Sequence, residues 1–193
     1  FKHGNLANII EIMPGQITTK KKVANVDVEN EVFIPSVDKD YLKLAVVERH
    51  HNLGNIGLAI VHGCGLKEGA VATTIAHDSH NASVVGTNDE DMIKALETLQ
   101  TMQGGLVVVR NGEVIGSLNL PIAGIMTNEA ADVVVPKLEK VHEALHEIHP
   151  TLSYHFFLTL SFLSLPVIPE LKVTDIGLFD VTQFKHIETE VSM

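Results

Sequence analysis

Cysteine and positive charge are both scarce in this 193-residue chain. A single cysteine, Cys64, excludes an internal disulfide bond and a zinc site built from cysteines, and it is typical of a reducing compartment. The 14 Lys and Arg residues stand against 24 Asp and Glu, which gives a formal net charge of −10. Binding to nucleic acid or to an anionic membrane needs a basic surface, so neither partner is expected. The one dense basic run, Lys20 to Lys22, is interpreted as a solvated turn.

Long hydrophobic runs are also missing. None reaches the roughly 18–20 residues that span a bilayer. The richest segment, 156–168, is interrupted by Ser161, Ser164 and Pro166. The N-terminal residues show no charged head followed by an apolar run, so the sequence predicts no signal peptide. Together with the single cysteine, these features predict a cytoplasmic protein that does not bind membranes.

Apolar residues recur in patterns that predict more strands than helices. Alternating apolar and polar side chains indicate half-buried strands, and short continuous apolar runs bounded by glycine indicate strands buried on both faces. An Asn-Gly pair between two apolar runs is the strongest hairpin signal in the chain. The predicted strands cover residues 8–13, 23–33 (with a turn allowed at 30–31), 41–47, 56–61, 71–76, 106–109 and 113–118.

Two helices are predicted. Asn88 and the acidic residues after it are suited to cap a helix that continues to about Met102. A second helix covers about 128–149, or begins at Pro136, because proline is favoured in a first turn. Since the strands outnumber two widely separated helices, we predict an α+β (mixed α/β) fold, with layered mixed β-sheets, two main helices packed on them and no complete TIM barrel. No linker or repeat divides the chain, which indicates a single domain over residues 1–193.

The densest set of reactive side chains lies in the stretch 55–87, which holds two apolar runs and five glycines. Rigid scaffolds often present polar groups in this way at a strand end. His77 and His80, with Asp78 between them, are weak candidate ligands for zinc, manganese or iron. The same side chains could instead cap strand ends, because such spacing arises readily by chance in a chain with 11 His. The candidate site residues are His77, Asp78, Ser79, His80 and Asn81.

Other motifs are weaker indicators of chemistry. Ser79 lacks the G-x-S-x-G context of a hydrolase nucleophile, and Cys64 between two glycines is typical of a small packing residue. The glycine-rich 63–69 segment misses both nucleotide-binding spacings. His142 to His146 match the HExxH pattern of metalloproteases, but their Lys- and Glu-rich neighbours favour an exposed helix face. None of these motifs names a reaction.

A resemblance to a known family is carried by four segments: IIEIMPGQITTKK, GNIGLAIVHGCGLKEGAVATTIAHDSHNASVVGTNDEDM, GGLVVVRNGEVIGSLNLPIAGIMTNE and LTLSFLSLPVIPELKVTDIGLFDV. In this order they are similar to the C-terminal domain of adenine deaminases of the amidohydrolase superfamily. The resemblance implies a parent enzyme of purine salvage, a homo-oligomer that hydrolyses adenine to hypoxanthine and ammonia. It also implies a binuclear manganese, iron or zinc site in a TIM-like barrel.

The barrel and its metal ligands are expected to lie outside this chain, which contains no HxH motif. The resemblance therefore implies a domain that is inactive alone, binds no cofactor itself, and has the barrel and its substrate adenine as partners. We hypothesise that residues 77–81 face the mouth of the barrel or the seam between the domains, where they would hold the base and exclude water. Two alternatives remain: a standalone binding or oligomerisation module, and an independent metallohydrolase that uses His77, Asp78 and His80.

Overall fold

A computed structural model describes residues 1–191. They form three helices and thirteen strands. The helices are α1 (Asp89–Met102), α2 (Ala131–Ile148) and α3 (Phe156–Phe162). The strands are β1 (Leu6–Ile12), β2 (Thr19–Asn25), β3 (Asp27–Glu29), β4 (Val32–Ile34), β5 (Leu42–Val47), β6 (Ile56–His62), β7 (Ala70–Thr73), β8 (Ala82–Gly86), β9 (Gly105–Arg110), β10 (Glu113–Asn119), β11 (Leu171–Thr174), β12 (Gly177–Asp180) and β13 (Lys185–His186).

An eight-stranded sheet, in the order β10-β9-β7-β8-β5-β6-β1-β2, forms the centre of the molecule. Neighbouring strands are antiparallel except β1 and β6, which are parallel. Within residues 1–191 the sheet stays open, with β10 and β2 as its two edges. The α+β prediction without a closed barrel is therefore confirmed. In the same range, no helix combines the length and apolar character needed to cross a membrane.

Other elements pack on both faces of the sheet, because its strands alternate side chains between two apolar cores, although Ile56 and Leu58 of β6 stay exposed. On one face α1 packs Met92, Ala95 and Leu99 against small side chains of the central strands. On the other face lie α2, α3 and the small sheet β11-β12-β13, whose apolar side chains form the largest core cluster. The layered arrangement with two main helices agrees with the prediction, and α3 is a short addition to it.

The lysine run does not form the predicted solvated turn. Lys20, Lys21 and Lys22 lie in β2, where they pair with residues 9–11 of β1. The outer side of this edge strand is partly paired with residues 169–170, because Thr19 exchanges backbone hydrogen bonds with them and the Lys21 amide donates to the Glu170 carboxylate at 2.7 Å. Lysines on an edge strand also discourage pairing with another chain. The run is therefore part of the sheet.

The predicted strand 23–33 is divided. β2 ends at Asn25, and β3 and β4 form a separate hairpin that turns at Asn30 and Glu31, both with positive φ. Val26 and Phe33 are buried against β1 and β6 beside this hairpin. The apolar residues of this segment do alternate, but the alternation runs through a point where the chain changes direction, so it does not mark one strand. Only the turn allowed at 30–31 is confirmed.

Several elements escaped prediction or differ in extent. β8, α3 and the strands β11 to β13 were not predicted, and β7 ends at Thr73, before the predicted end. α2 begins at Ala131 and contains Pro136. Proline lacks an N–H, but this part of the helix is exposed, so the carbonyl of Asp132 can be solvated. The helix therefore continues through the proline.

Candidate functional site

Four strands of the large sheet have a terminus at the same end of the sheet, which we call the loop end. β5 and β7 finish there, and β6 and β8 start there. The connection between β7 and β8, residues 74–81, is called the His loop. It holds all five candidate residues together: Asp78 and Ser79 are exposed, His77 and His80 are half-buried, and Asn81 is buried.

Hydrogen bonds to the backbone of His77 hold the His loop against α3 and the residues that follow it. The His77 amide donates to the carbonyl of Ser161 at 2.9 Å, and the Ser164 hydroxyl donates to the carbonyl of His77 at 3.3 Å. Within the loop, the His80 amide donates to the carbonyl of Ala76 at 2.6 Å. Because these bonds use main-chain groups, the side chains of Asp78 and His80 are left for other contacts.

The two imidazoles lie side by side, and the surroundings of His80 determine its protonation. The ring of His77 packs on Phe162 at 4.7 Å and on His80 at 5.8 Å between centroids. The Ala76 amide donates to Nδ1 of His80 at 3.2 Å, so Nδ1 must be unprotonated. Burial lowers the pKa of His80, and the neighbouring His77 and Arg49 lower it further. A neutral His80 then carries its proton on Nε2, which becomes a hydrogen-bond donor.

Metal-ligating side chains do not converge in the described part of the chain. Residues 1–191 contain no group of three or more His, Cys, Asp or Glu side chains that could hold a metal ion. The metallohydrolase hypothesis for His77, Asp78 and His80 therefore finds no ligand set within this range. His142 and His146 lie on α2 and line a separate cleft of about 630 Å³.

Asp78 and Ser79 line a small cavity at the loop end. It has a volume of about 310 Å³ and is shared with Ser164, Val167 and Asp175. The Ser79 hydroxyl accepts a hydrogen bond from the Asn81 amide at 3.3 Å, as in a local turn. The cavity therefore offers the carboxylate of Asp78, and the neutral imidazole of His80 lies two residues further along the loop. The His loop shows no Ser-His pair prepared for nucleophilic attack.

A family model described as the adenine deaminase C-terminal domain matches residues 16–185. The chain belongs to this family. Adenine deaminase of Lysinibacillus sphaericus (strain C3-41) is 56% identical over 190 residues, which are 98% of this chain and 33% of that protein. Adenine deaminase of Halalkalibacterium halodurans is 51% identical over 185 residues, or 96% of this chain and 32% of that protein. The chain thus spans about a third of the length of the curated relatives it matches.

Two residues that support the His loop of this adenine deaminase C-terminal domain were not predicted from the sequence. Arg49 Nε donates to the carbonyl of His80 at 2.6 Å, and His50 Nε2 lies 2.7 Å from the carbonyl of Ser79. Both residues follow β5, about 30 positions before the His loop. The sequence does show a polar patch at 48–52 directly after a predicted strand. Because this patch is far from the His loop in sequence, its contact with the loop could not be predicted.

Cys64 has a packing role in this family member. Its thiol is buried, and burial raises its pKa well above the usual range. The flanking Gly63 and Gly65 have φ of 84° and 79°. A side chain on Gly65 would collide with the ring of His149. The loop therefore needs glycines on both sides, and the structure agrees with the reading of Cys64 as a small packing residue.

Proposed function

We propose that this chain serves an enzyme that hydrolyses adenine to hypoxanthine and ammonia, and that the His loop completes the active site. The observation that carries the proposal is the identity of 51–56% to curated adenine deaminases over nearly the whole chain. In the reaction, water adds to C6 of the purine, a C–O bond forms, and the C–N bond to the amino group breaks. The leaving nitrogen takes up protons and departs as ammonia.

The metal chemistry is assigned to an amidohydrolase barrel that docks on this domain. A binuclear manganese, iron or zinc centre there would activate the water. Because no ligand set occurs in residues 1–191, we propose that this chain supplies none of the metal ligands and is inactive alone. We further propose that the enzyme works in cytoplasmic purine salvage, for which a single buried free cysteine is suitable.

The His loop has side chains suited to a purine edge. A purine presents ring nitrogens that accept hydrogen bonds and an amino group that donates them. His80 Nε2 is a donor to such a nitrogen, and the exposed carboxylate of Asp78 is an acceptor from such an amino group. Closing these groups over the base would also exclude bulk water, which strengthens every polar contact at the reacting carbon.

The surroundings of the loop support docking of another domain. Five large apolar side chains around it, which we call the apolar rim, are between 43% and 71% exposed. They are Leu53, Ile122, Met126, Val167 and Ile176. Exposed apolar groups around a polar centre are typical of surfaces that bind protein. This supports the barrel as the partner of the loop end.

Replacing His80 or Asp78 by alanine in the full-length enzyme tests the proposal. We expect each change to lower kcat/KM for adenine by about 10²-fold, the usual loss for a positioned donor or proton-handling group. His146→Ala, on α2, is the matched control and should retain full activity. If His80→Ala and Asp78→Ala variants with unchanged circular dichroism spectra keep normal kinetics, the His loop has no role in the reaction.

A second surface supports the proposal of a homo-oligomer. Ile56 and Leu58 on β6 and Ile93 on α1 are all more than half exposed. Apolar groups on an uncovered sheet face favour association. Sedimentation of the Leu58→Lys variant would show a smaller species if this face joins subunits.

A further inference from the structure

A single guanidinium joins the His loop to a neighbouring turn. Arg49 Nε donates to the carbonyl of His80 at 2.6 Å, and Nη2 donates to the carbonyl of Ala123 at 2.7 Å. The chain has only two arginines. Arg110 forms a salt bridge with Glu147 at 3.0 Å, whereas Arg49 has no carboxylate within 4.0 Å among residues 1–191. Arg49 is therefore held by backbone oxygens of two separate loops.

The segment that carries Arg49 is itself fixed. The carboxylate of Glu48 accepts hydrogen bonds from the amides of His50, His51 and Leu53 at 2.5, 2.7 and 2.9 Å. A carboxylate with three backbone donors folds the 48–53 segment into one compact turn. Arg49 and His50 then reach the adjacent carbonyls of His80 and Ser79.

The turn on the other side of Arg49 is shaped to receive it. Gly124 has a φ of 77°, and a Cβ there would collide with Nη2 of Arg49. The Thr74 hydroxyl donates to the carbonyl of Gly124 at 2.5 Å, and the Gly105 amide donates to that hydroxyl at 2.8 Å. The start of the His loop, the 121–126 turn and Arg49 are thus connected in one hydrogen-bonded unit.

We propose that Arg49 is the positioning residue of the His loop and fixes the direction in which Asp78 and His80 point. Arg49 and His50 hold the carbonyls of His80 and Ser79, which lie in the two peptide units that flank His80. The carbonyl of His77, which precedes Asp78, is held by the Ser164 hydroxyl, so the loop backbone around both side chains cannot rotate freely. Side chains that act on a bound base must be kept within a fraction of an ångström of their working position. This role rests on the proposed function of the His loop.

Amide hydrogen exchange of the intact chain tests the positioning directly. A charge-assisted hydrogen bond contributes enough that its loss should speed exchange of the His80 amide about 10-fold or more in Arg49→Ala. Arg49→Lys, which keeps the charge but can reach only one of the two carbonyls, should lie between. Arg110→Ala, the other arginine, should leave exchange in 74–81 unchanged. Equal exchange in the wild type and in Arg49→Ala would overturn the proposal.

Gly124→Ala approaches the same contact from the turn, because its Cβ would displace the guanidinium of Arg49 and, at a φ of 77°, would also strain the turn. Its exchange in 74–81 should resemble that of Arg49→Ala. The double variant should exchange no faster than either single one, since both remove the same contact. Wild-type exchange in 74–81 of the Gly124→Ala variant would contradict the inference.

Kinetics in the full-length enzyme separate this inference from the proposed function. Arg49→Ala should lower kcat/KM by about 10- to 10²-fold, and added guanidinium should restore part of the loss. If His80→Ala is impaired but Arg49→Ala retains full activity, the positioning role is wrong while the function of the loop stands. If His80→Ala and Asp78→Ala are both fully active, the proposed role of the His loop in the reaction is wrong, whatever exchange shows.

Discussion

His149 is the residue whose burial conflicts most with its chemistry. It is 4% exposed, and neither ring nitrogen has a hydrogen-bond partner among residues 1–191. Burial lowers its pKa, and the backbone of Cys64 and the charge of Asp40 offset only part of this. The ring is packed edge-on against Tyr154 and Phe156. It therefore behaves as a flat apolar group that resists protonation.

A dependence of stability on pH follows from that resistance. The unfolded chain protonates His149 near pH 6.5, whereas the folded chain does so only at lower pH, so the unfolded state binds more protons as the pH falls. The free energy of unfolding should thus decrease from pH 7 towards pH 5, by at most about 1.4 kcal/mol per pH unit from this residue. His149→Leu should flatten the slope in urea unfolding, and exposed His3→Leu should not. If the free energy of unfolding of His149→Leu depends on pH as steeply as that of the wild type, other groups cause the loss of stability in acid.

At the scale of elements, the predictions succeeded where local chemistry decided the structure. Asn111 and Gly112 both have positive φ, as the turn of a two-residue hairpin requires, and β9-β10 formed where predicted. Asn88 caps α1 by accepting from the Asp91 amide at 2.8 Å. β11 was missed because its second residue, Lys172, is a fully buried lysine between Leu171 and Val173. Its ammonium donates to the carbonyl of Ile17, 155 positions away, and no local pattern reports such a partner.

The candidate site, too, has a part that the sequence predicts and a part that it does not. The five loop residues are contiguous, so their proximity was predictable from the sequence alone. Their support was not, because Arg49, Ala123 and Ser161 approach from β5, the 121–126 turn and α3. Contacts between distant segments depend on strand order, and the sequence did not predict that order.

Asp91 connects α1 to the β9-β10 hairpin, and we expect it to contribute strongly to stability. Its carboxylate is buried and accepts from the Gly112 amide at 2.7 Å and from the Asn88 side chain at 2.9 Å. Asp91→Ala would leave those donors unpaired and lower the free energy of unfolding by about 3 kcal/mol. The exposed neighbour Glu90→Gln, in the same helical turn, should change it by less than about 0.5 kcal/mol. Urea unfolding measures the free energy of both variants. If Asp91→Ala lowers it as little as Glu90→Gln, Asp91 does not contribute strongly to stability.

At the scale of the whole molecule, the chain is expected to need the rest of the enzyme. The apolar rim surrounds the His loop, so covering the rim and completing the site should be one event. We predict that the chain alone does not deaminate adenine. We also predict that adding the remaining two thirds of the Lysinibacillus sphaericus relative, prepared separately, restores ammonia release.

Charge placed in the rim should weaken that reconstitution. Val167 and Ile176 are 64% and 71% exposed, so a Val167→Asp/Ile176→Asp variant should fold normally but bury two carboxylates on docking. The concentration of chain that gives half-maximal activity should then rise by at least about 10-fold, because an unpaired buried charge costs several kcal/mol. Val135→Asp, at a half-exposed position on α2, is the matched control and should reconstitute like the wild type. Adenine deamination by the chain alone would contradict the division of labour between the two parts. Unimpaired reconstitution by the rim variant would place the docking surface elsewhere.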